Sequence, residues 1–217
     1  MKGIDVSEWQ GDIDFKKVKA AGVDFVIIRC NKWDTAKNCV VKDPFFDMIY
    51  TRARAAGLDI GAYYFTWQTT VSGAKQDAAL CKKYIKGKKF EYPIYFDLEC
   101  QKAFAKGRQR CSAMVKAFCD ELEKAGYFAG LYMSRSPLQT YITPEVARRY
   151  ALWIAEYGSR CNYGGDYGMW QFSSAGHISG IKGSVDLDIA YVDYPDIITK
   201  GGFNGYKKEK SADRKLR

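Results

Sequence analysis

Two acidic residues stand one position apart at the end of an apolar segment. The segment is PIYFDLE, residues 93–99, and it ends in Asp97 and Glu99. Alternate residues of a strand point to the same face, so the two carboxyl groups share one side and Leu98 faces the other. Two acids inside a barrel repel each other and lose hydration. The pair is useful where one carboxyl stays protonated while the other is ionised, as glycosidic bond hydrolysis requires.

Further acids occupy two other predicted strands. Asp5 ends the first strand, and Asp186 lies in the last, next to the first in a closed barrel. We therefore group both with Asp97 and Glu99. Asp188 has the same facing as Asp186 but lies further along, so we interpret it as a capping or surface acid. Two alternatives stay open for these carboxylates: a magnesium or calcium site, and acids that simply face solvent.

Aromatic residues accompany the acids at the predicted strand ends. Aromatic faces cover the apolar faces of sugar rings, while tyrosine hydroxyl and indole N–H groups donate hydrogen bonds. The pattern therefore favours a carbohydrate site. The aromatic residues are Tyr63, Tyr64, Trp67, Tyr132, Trp153 and Trp170.

Short apolar segments alternate with amphipathic ones along most of the chain. Predicted strands cover residues 4–6, 25–29, 60–66, 94–98, 130–133, 152–156, 168–172 and 185–189. Predicted helices cover residues 14–21, 44–56, 72–85 and 108–125, and a short fifth helix opens at Thr143. The order predicts an α/β fold, an irregular TIM-like barrel of five βα units followed by three β-strands. Chemistry in such barrels lies at the carboxyl ends of the strands.

Composition limits the class of protein. The chain has 217 residues, 47% hydrophobic and 15% aromatic, which suits one domain with a substantial core. No apolar run approaches the roughly 20 residues needed to span a bilayer, so we expect no stable membrane insertion. The N-terminus shows no apolar signal segment. We see no nucleic-acid motif and expect no nucleic-acid partner.

The charge is uneven. Of the net +9, residues 200–217 supply +5, with seven Lys/Arg and two Asp/Glu. We predict a catalytic barrel over residues 1–199 and a basic tail or linker over 200–217. The tail is interpreted as a solvated end, with a tether or a contact to an anionic polymer as the alternatives.

Cysteine and histidine content argues against a metal site. The chain has seven cysteines without a CxxC pair, and its only histidine is His177, in a glycine-flanked loop. These spacings do not fit zinc. We expect reduced, mostly buried thiols, a surface histidine, and no metal or cofactor.

Eight motifs, taken together and in order, resemble one known family. The chain is similar over about residues 3–192 to glycoside hydrolase family twenty-five, the Chalaropsis-type lysozymes or N-acetylmuramidases, which include many phage endolysins. That family's barrel also has five βα units and three further strands. The motifs are GIDVSEWQGDIDF, DFVIIR, GAYYF, PIYFDLE, GLYMSRS, LWIAEY, MWQFSSAG and VDLDIAY.

The resemblance implies a substrate and residue roles. The substrate would be the β-1,4 bond between N-acetylmuramic acid and N-acetylglucosamine in bacterial peptidoglycan. Glu99 would be the general acid. Asp97 would either orient the substrate's attacking acetamido group or accompany a water that attacks with inversion. The remaining implied site residues are Asp5 and Asp186 in the acidic cluster, and Tyr64, Tyr132, Trp153 and, more weakly, Gln171 at the sugars.

The resemblance also implies where the protein acts. We expect a monomer that works on the cell wall, either extracellular or delivered by a phage. Two other functions stay open: a non-catalytic cell-wall glycan-binding module, and a related glycosidase acting on chitin or another acetamido sugar polymer.

One segment departs from the family pattern. Residues 30–43, CNKWDTAKNCVVKD, lack the glycine-rich or Thr-Glu-Gly patterns often seen there. Part of the substrate rim is therefore not predicted by the resemblance. Cys30 and Cys39 flank this segment, and a disulfide between them is an open hypothesis.

Overall fold

Eight strands close into a barrel, which confirms the predicted fold. The computed structural model describes residues 1–208. Around the barrel the strand order is β1-β10-β9-β8-β7-β6-β5-β2, and β3 pairs with β4 in a separate hairpin. The strands are β1 (Lys2–Val6), β2 (Phe25–Arg29), β3 (Asn31–Asp34), β4 (Cys39–Lys42), β5 (Asp59–Phe65), β6 (Ile94–Asp97), β7 (Ala129–Ser134), β8 (Ala151–Ala155), β9 (Met169–Gly176) and β10 (Val185–Ala190).

Helices cover the outside of the barrel. Their bounds are α1 (Phe15–Ala20), α2 (Phe46–Ala55), α3 (Val71–Ile85), α4 (Gln101–Phe104), α5 (Arg108–Glu123), α6 (Arg135–Tyr141), α7 (Pro144–Arg149) and α8 (Tyr194–Gly201). Helix α3 begins one residue before its predicted start at residue 72, and Thr70 caps it by accepting a hydrogen bond from the Gly73 N–H. The hairpin and helices α4, α6 and α8 were not predicted.

Strand direction decides which ends meet at the functional rim. The strands β1, β2, β5, β6, β7, β8 and β9 run parallel to their neighbours, whereas β10 runs antiparallel to both β9 and β1. The amino end of β10 therefore lies beside the carboxyl ends of the others. Asp186 pairs with Asp5 in this register, so it reaches the rim from the beginning of its strand, not from its end.

Aromatic side chains fill the lower barrel, by which we mean the half that lies away from the carboxyl ends of the parallel strands. A buried cluster includes Phe25, Tyr92, Tyr95 and Trp153. The glycines of neighbouring strands make room for these rings. A β-carbon at Gly3 would lie 2.1 Å from the Phe25 ring.

The packed chain extends past the predicted boundary at residue 199. Asn204 is fully buried. Its Oδ1 accepts from the Phe128 N–H at 2.7 Å and its Nδ2 donates to the Tyr92 carbonyl at 2.9 Å. This asparagine closes the lower end of the barrel, so residues 200–206 belong to the body. The tail beyond residue 208 lies outside the described residues.

All seven cysteines are unpaired, and Cys30, Cys81, Cys111 and Cys119 are buried. The hypothesised Cys30–Cys39 disulfide is not formed. Asn31 pairs with Lys42 and Asp34 with Cys39 in the hairpin register, so Cys39 lies at the tip while Cys30 lies at the base. Within residues 1–208, no helix has both the length and the apolar character that crossing a bilayer needs.

A polar contact outside the barrel ties β5 to α3. Tyr64 and Thr66 point outward and donate to the Asp77 carboxylate at 2.9 and 2.6 Å. Asp77 is 1% exposed. Burial raises the pKa of Asp77 to about 6, although the two hydroxyl donors lower it.

We expect Asp77 to make stability depend on pH. The stabilisation from its protonated form is complete below the unfolded pKa of about 3.9 and is lost as the pH rises through about 6. In Asp77→Asn, the unfolding free energy relative to wild type should shift by about 2.4 kcal/mol in the variant's favour between pH 4 and pH 8. Denaturant unfolding across this range measures the difference.

Tyr64→Phe should change the pH dependence of stability in the opposite direction. It removes a hydrogen bond that lowers the Asp77 pKa, so its stability should fall more steeply with pH than that of wild type. A difference between Asp77→Asn and wild type that stays constant from pH 4 to 8 would contradict this assignment.

Candidate active site

A pocket of about 220 Å³ opens at the rim of the barrel. Every barrel strand contributes to its lining, together with residues that follow β6 and β8. The lining residues are Asp5, Arg29, Tyr63, Phe65, Asp97, Glu99, Tyr132, Trp153, Tyr157, Gln171 and Asp186. A larger cleft of about 400 Å³ lies outside, between α1 and α2, where Asp12 is paired with Arg52. The buried acids converge in the rim pocket, which makes it the candidate site.

The predicted acid pair faces this pocket. Asp97 is the last residue of β6 and is 3% exposed, Leu98 is fully buried in the surrounding core, and Glu99 is exposed at the mouth. One oxygen of Asp97, Oδ1, is buried and has no hydrogen-bond partner in the described part of the chain. Asp97 and Glu99 therefore point to the same side of the chain, as their two-residue spacing predicts.

The surroundings raise the pKa of both carboxyl groups. Burial raises the pKa of Asp97 well above its usual range, and the negative charge of Glu99 raises it further. Glu99 keeps contact with water, but the pocket walls displace much of its hydration, and this raises its pKa; Asp186 adds to the rise. The proximity of two such groups means that they titrate as a pair.

Arg29 supplies the opposing positive charge, and sequence reasoning missed it. It is the last residue of β2, and its guanidinium lies over the Phe65 ring at 4.9 Å and over the Trp67 ring at 5.5 Å. Its charge lowers the pKa of both Asp97 and Glu99. A cation ending an otherwise apolar strand, FVIIR, was the available signal.

We expect Arg29 to set the pH range of activity. Arg29→Met removes the cation, so the pKa values of Asp97 and Glu99 should rise and both limbs of the pH–activity profile should move to higher pH. Arg29→Lys keeps a charge and should shift the profile less. Initial rates from pH 3 to 9 provide the measurement. An unchanged profile in a folded Arg29→Met protein would show that the charge is not coupled to the pair.

Three further carboxyl groups, those of Asp5, Asp186 and Asp188, lie between the rim and the interior of the barrel. Asp5 lies opposite Asp186, and Asp188 lies one step deeper, opposite Gly3. The interpretation of Asp188 as a surface or capping acid was wrong, because it is 1% exposed and its Oδ1 accepts from the Trp153 Nε1–H at 2.8 Å. The antiparallel direction of β10 takes the chain downward from Asp186. Burial, followed by the charges of Asp188 and Asp186, raises the pKa of Asp5 well above its usual range.

Gln171 links these acids to the aromatic wall. Its Nε2 donates to Asp5 Oδ2 at 2.7 Å. Its Oε1 accepts from the hydroxyls of Tyr132 at 2.9 Å and Tyr157 at 3.3 Å. Both ends of the amide are therefore engaged within the protein. Gln171 lines the pocket, and this geometry suits holding Asp5 and Tyr132 in place.

Of the three aromatic residues that the family resemblance assigns to the sugars, two line the pocket. Tyr132 and Trp153 do so with ring centroids 4.3 Å apart. Tyr64 was placed wrongly: it is fully buried on the outer face of β5, where its hydroxyl contacts Asp77. Side chains alternate along a strand, so its neighbour Tyr63 faces the pocket instead. Tyr157, after β8, is a further lining residue that the sequence did not indicate.

Other candidate groups lie away from the pocket. His177 is exposed, and its Nδ1 lies 3.3 Å from the Gly183 carbonyl oxygen. Within residues 1–208, no group of three or more His, Cys, Asp or Glu side chains is arranged to hold a metal ion.

Comparison with known sequences points to one family. The model of glycosyl hydrolases family 25 matches residues 4–181. The autolytic lysozyme of Clostridium acetobutylicum is 31% identical over 189 residues, which cover 87% of this chain and 55% of that protein. The chain therefore spans about half the length of this relative.

Solved structures share the barrel. The CTP1L endolysin superposes with a TM-score of 0.79 at 27% identity, covering 93% of this chain and 70% of that one. The autolysin LytC of Streptococcus pneumoniae, solved with a synthetic peptidoglycan ligand, gives a TM-score of 0.78 at 27% identity, covering 88% and 46%. Because the family model spans most of the chain, including β6 and the acid pair at its end, this chain belongs to family 25 of the glycosyl hydrolases.

Proposed function

We propose that this protein is a lysozyme that cleaves the β-1,4 bond between N-acetylmuramic acid and N-acetylglucosamine in bacterial peptidoglycan. The observation that carries the proposal is the pair formed by buried Asp97 and exposed Glu99, which face one aromatic-lined pocket. Family membership supports the reaction class. The autolytic lysozyme and the peptidoglycan-bound autolysin among its relatives support the polymer.

Glu99 is the general acid in this proposal. The pKa values of both Asp97 and Glu99 are raised, so the pair retains a proton to higher pH than two isolated carboxyl groups would. Glu99 reaches the mouth of the pocket, so it is the member that can approach the glycosidic oxygen of a bound strand. It donates its proton to that oxygen as the bond breaks, which allows the leaving sugar to depart as an alcohol.

Asp97 stabilises the reacting centre from below. Its carboxylate lies on the same side as Glu99 but deeper, where low hydration strengthens its interaction with the positive charge that develops at the anomeric carbon. It either orients the substrate's own acetamido group for attack or accompanies an attacking water. These routes give products of opposite anomeric configuration, which nuclear magnetic resonance of fresh product distinguishes.

The remaining site residues support this pair. Asp5 and Asp186 maintain the charge and protonation of the pocket, and Gln171 holds Asp5. Tyr132 and Trp153 form the wall against which a sugar ring packs. The protein acts as a monomer on the cell wall, which it reaches from outside the cell or by phage delivery.

Release of reducing ends from purified peptidoglycan tests the proposal. Wild-type protein should release them steadily and clear a wall suspension. A folded protein that sediments with walls but releases no reducing ends would instead be a glycan-binding module. Release from chitin but not from peptidoglycan would identify a glycosidase for another acetamido sugar polymer.

A further inference from the structure

The β3–β4 hairpin places an aromatic surface next to the pocket. The Trp33 and Trp67 ring centroids are 5.6 Å apart at an interplanar angle of 52°. The ring centroids of Trp67 and Phe65 are 4.6 Å apart, and Phe65 lines the pocket. We call Trp33, Trp67 and Phe65 the aromatic shelf. It runs without interruption from the hairpin to the pocket wall, through the segment in which the sequence departs from the family pattern.

The hairpin is held in place from two sides. The buried Asn31 side chain donates to the Phe65 carbonyl at 2.8 Å and accepts from the Phe65 N–H at 2.9 Å. Lys32 pairs with Glu8 at 2.5 Å, in the 3-10 helix (Glu8–Gln10) that follows β1. Both anchors belong to elements that carry or follow pocket residues. The shelf is thus preorganised, which lowers the entropic cost of binding on it.

Trp33 is 37% exposed although it is a large aromatic side chain. An exposed tryptophan that is held beside a pocket provides stacking area for a ligand. The hairpin lysines each contact a carboxylate, and the Arg29 guanidinium lies over the Phe65 and Trp67 rings, so the Trp33 ring is the part of the shelf that is left for stacking. The ion pairs are Lys32–Glu8, Lys37–Asp34 and Lys42–Asp47.

We propose that the aromatic shelf is a saccharide subsite, on which one N-acetylated hexosamine ring of the glycan strand stacks beyond the catalytic pocket. The proposal rests on the proposed function only in its choice of polymer. Its occupant follows from the continuity of the shelf with the pocket: a strand bound across Glu99 that extends toward the hairpin meets Trp67 and then Trp33. The shelf holds the strand and takes no part in bond breaking.

Trp33→Ala tests the subsite. With peptide-free glycan strands as substrate, KM should rise about tenfold while kcat stays within about twofold. Binding of the same strands to Glu99→Gln protein, measured by calorimetry, should weaken by about the same factor when Trp33→Ala is added. Trp33→Phe retains an aromatic face and should recover most of the affinity.

Tyr191→Ala is the matched control. Tyr191 follows β10 at the opposite end of the barrel and is 56% exposed, so its removal should leave KM unchanged. Unaltered KM and strand affinity in folded Trp33→Ala would overturn the subsite. A fall in kcat at unchanged KM would also overturn it, because Trp33 would then act through the catalytic pocket.

The two proposals fail separately. If wild type releases reducing ends and Trp33→Ala does so with the same KM, the subsite is wrong and the function stands. If strands bind in a Trp33-dependent manner but no bond is cut by wild type, the subsite stands and the function is wrong. Failure of Glu99→Gln protein with intact Trp33 to bind the strands contradicts the subsite.

Discussion

Glu99→Gln should reduce kcat on peptidoglycan by about a hundredfold to ten-thousandfold while the protein folds normally. General acid catalysis contributes roughly 10²–10⁴ to such reactions, and the amide carries no transferable proton. The exposed position of Glu99 at the pocket mouth means that the isosteric change disturbs no packing. KM should change little, because the strand still contacts the same walls.

Glu156→Gln provides the matched control. This glutamate follows β8 near the same rim, where it pairs with Arg135 at 2.8 Å, but it does not line the pocket. It should retain most of the wild-type activity. Activity of Glu99→Gln within tenfold of wild type would remove Glu99 from the role of general acid.

Asp97→Asn should separate activity from stability. We expect kcat to fall by roughly 10²–10³, because the substitution removes the charge that stabilises the developing positive centre. The melting temperature should stay equal or rise near neutral pH. Asp97 is 3% exposed with one unpartnered oxygen, and burial opposes its charged form. An amide of the same shape therefore relieves a cost that the native carboxylate carries.

Melting curves and initial rates at the same pH make this comparison. If Asp97→Asn loses its fold together with its activity, the carboxylate has a structural role and the assignment is wrong. If it keeps both, the reaction does not need a charge below Glu99.

The barrel is predictable from sequence because its parallel strands are buried on both faces. Segments such as FVIIR then form continuous apolar runs between helix signals. The hairpin escaped prediction because its strands are short and its residues are largely charged or half-exposed, so no burial pattern marks them. The burial of Asn204 was not predicted either, because an asparagine within a basic tail is held in place only by hydrogen-bond partners that are distant in sequence.

The candidate site was only partly predictable. The two-residue spacing of Asp97 and Glu99 follows from strand geometry alone. The choice between adjacent Tyr63 and Tyr64 does not, because both residues suit either face, and the phase of β5 is decided by Asp77 on α3. The depth of Asp188 likewise depended on the direction of β10, which no local pattern specifies.

The identity of the sugar at the new reducing end tests the central claim most directly. Purified peptidoglycan is digested, the soluble products are reduced, and their masses are analysed. We predict muropeptides that end in reduced N-acetylmuramic acid, produced by wild type and absent with Glu99→Gln. Products that end in reduced N-acetylglucosamine would place the cut at the other bond and contradict the proposed function.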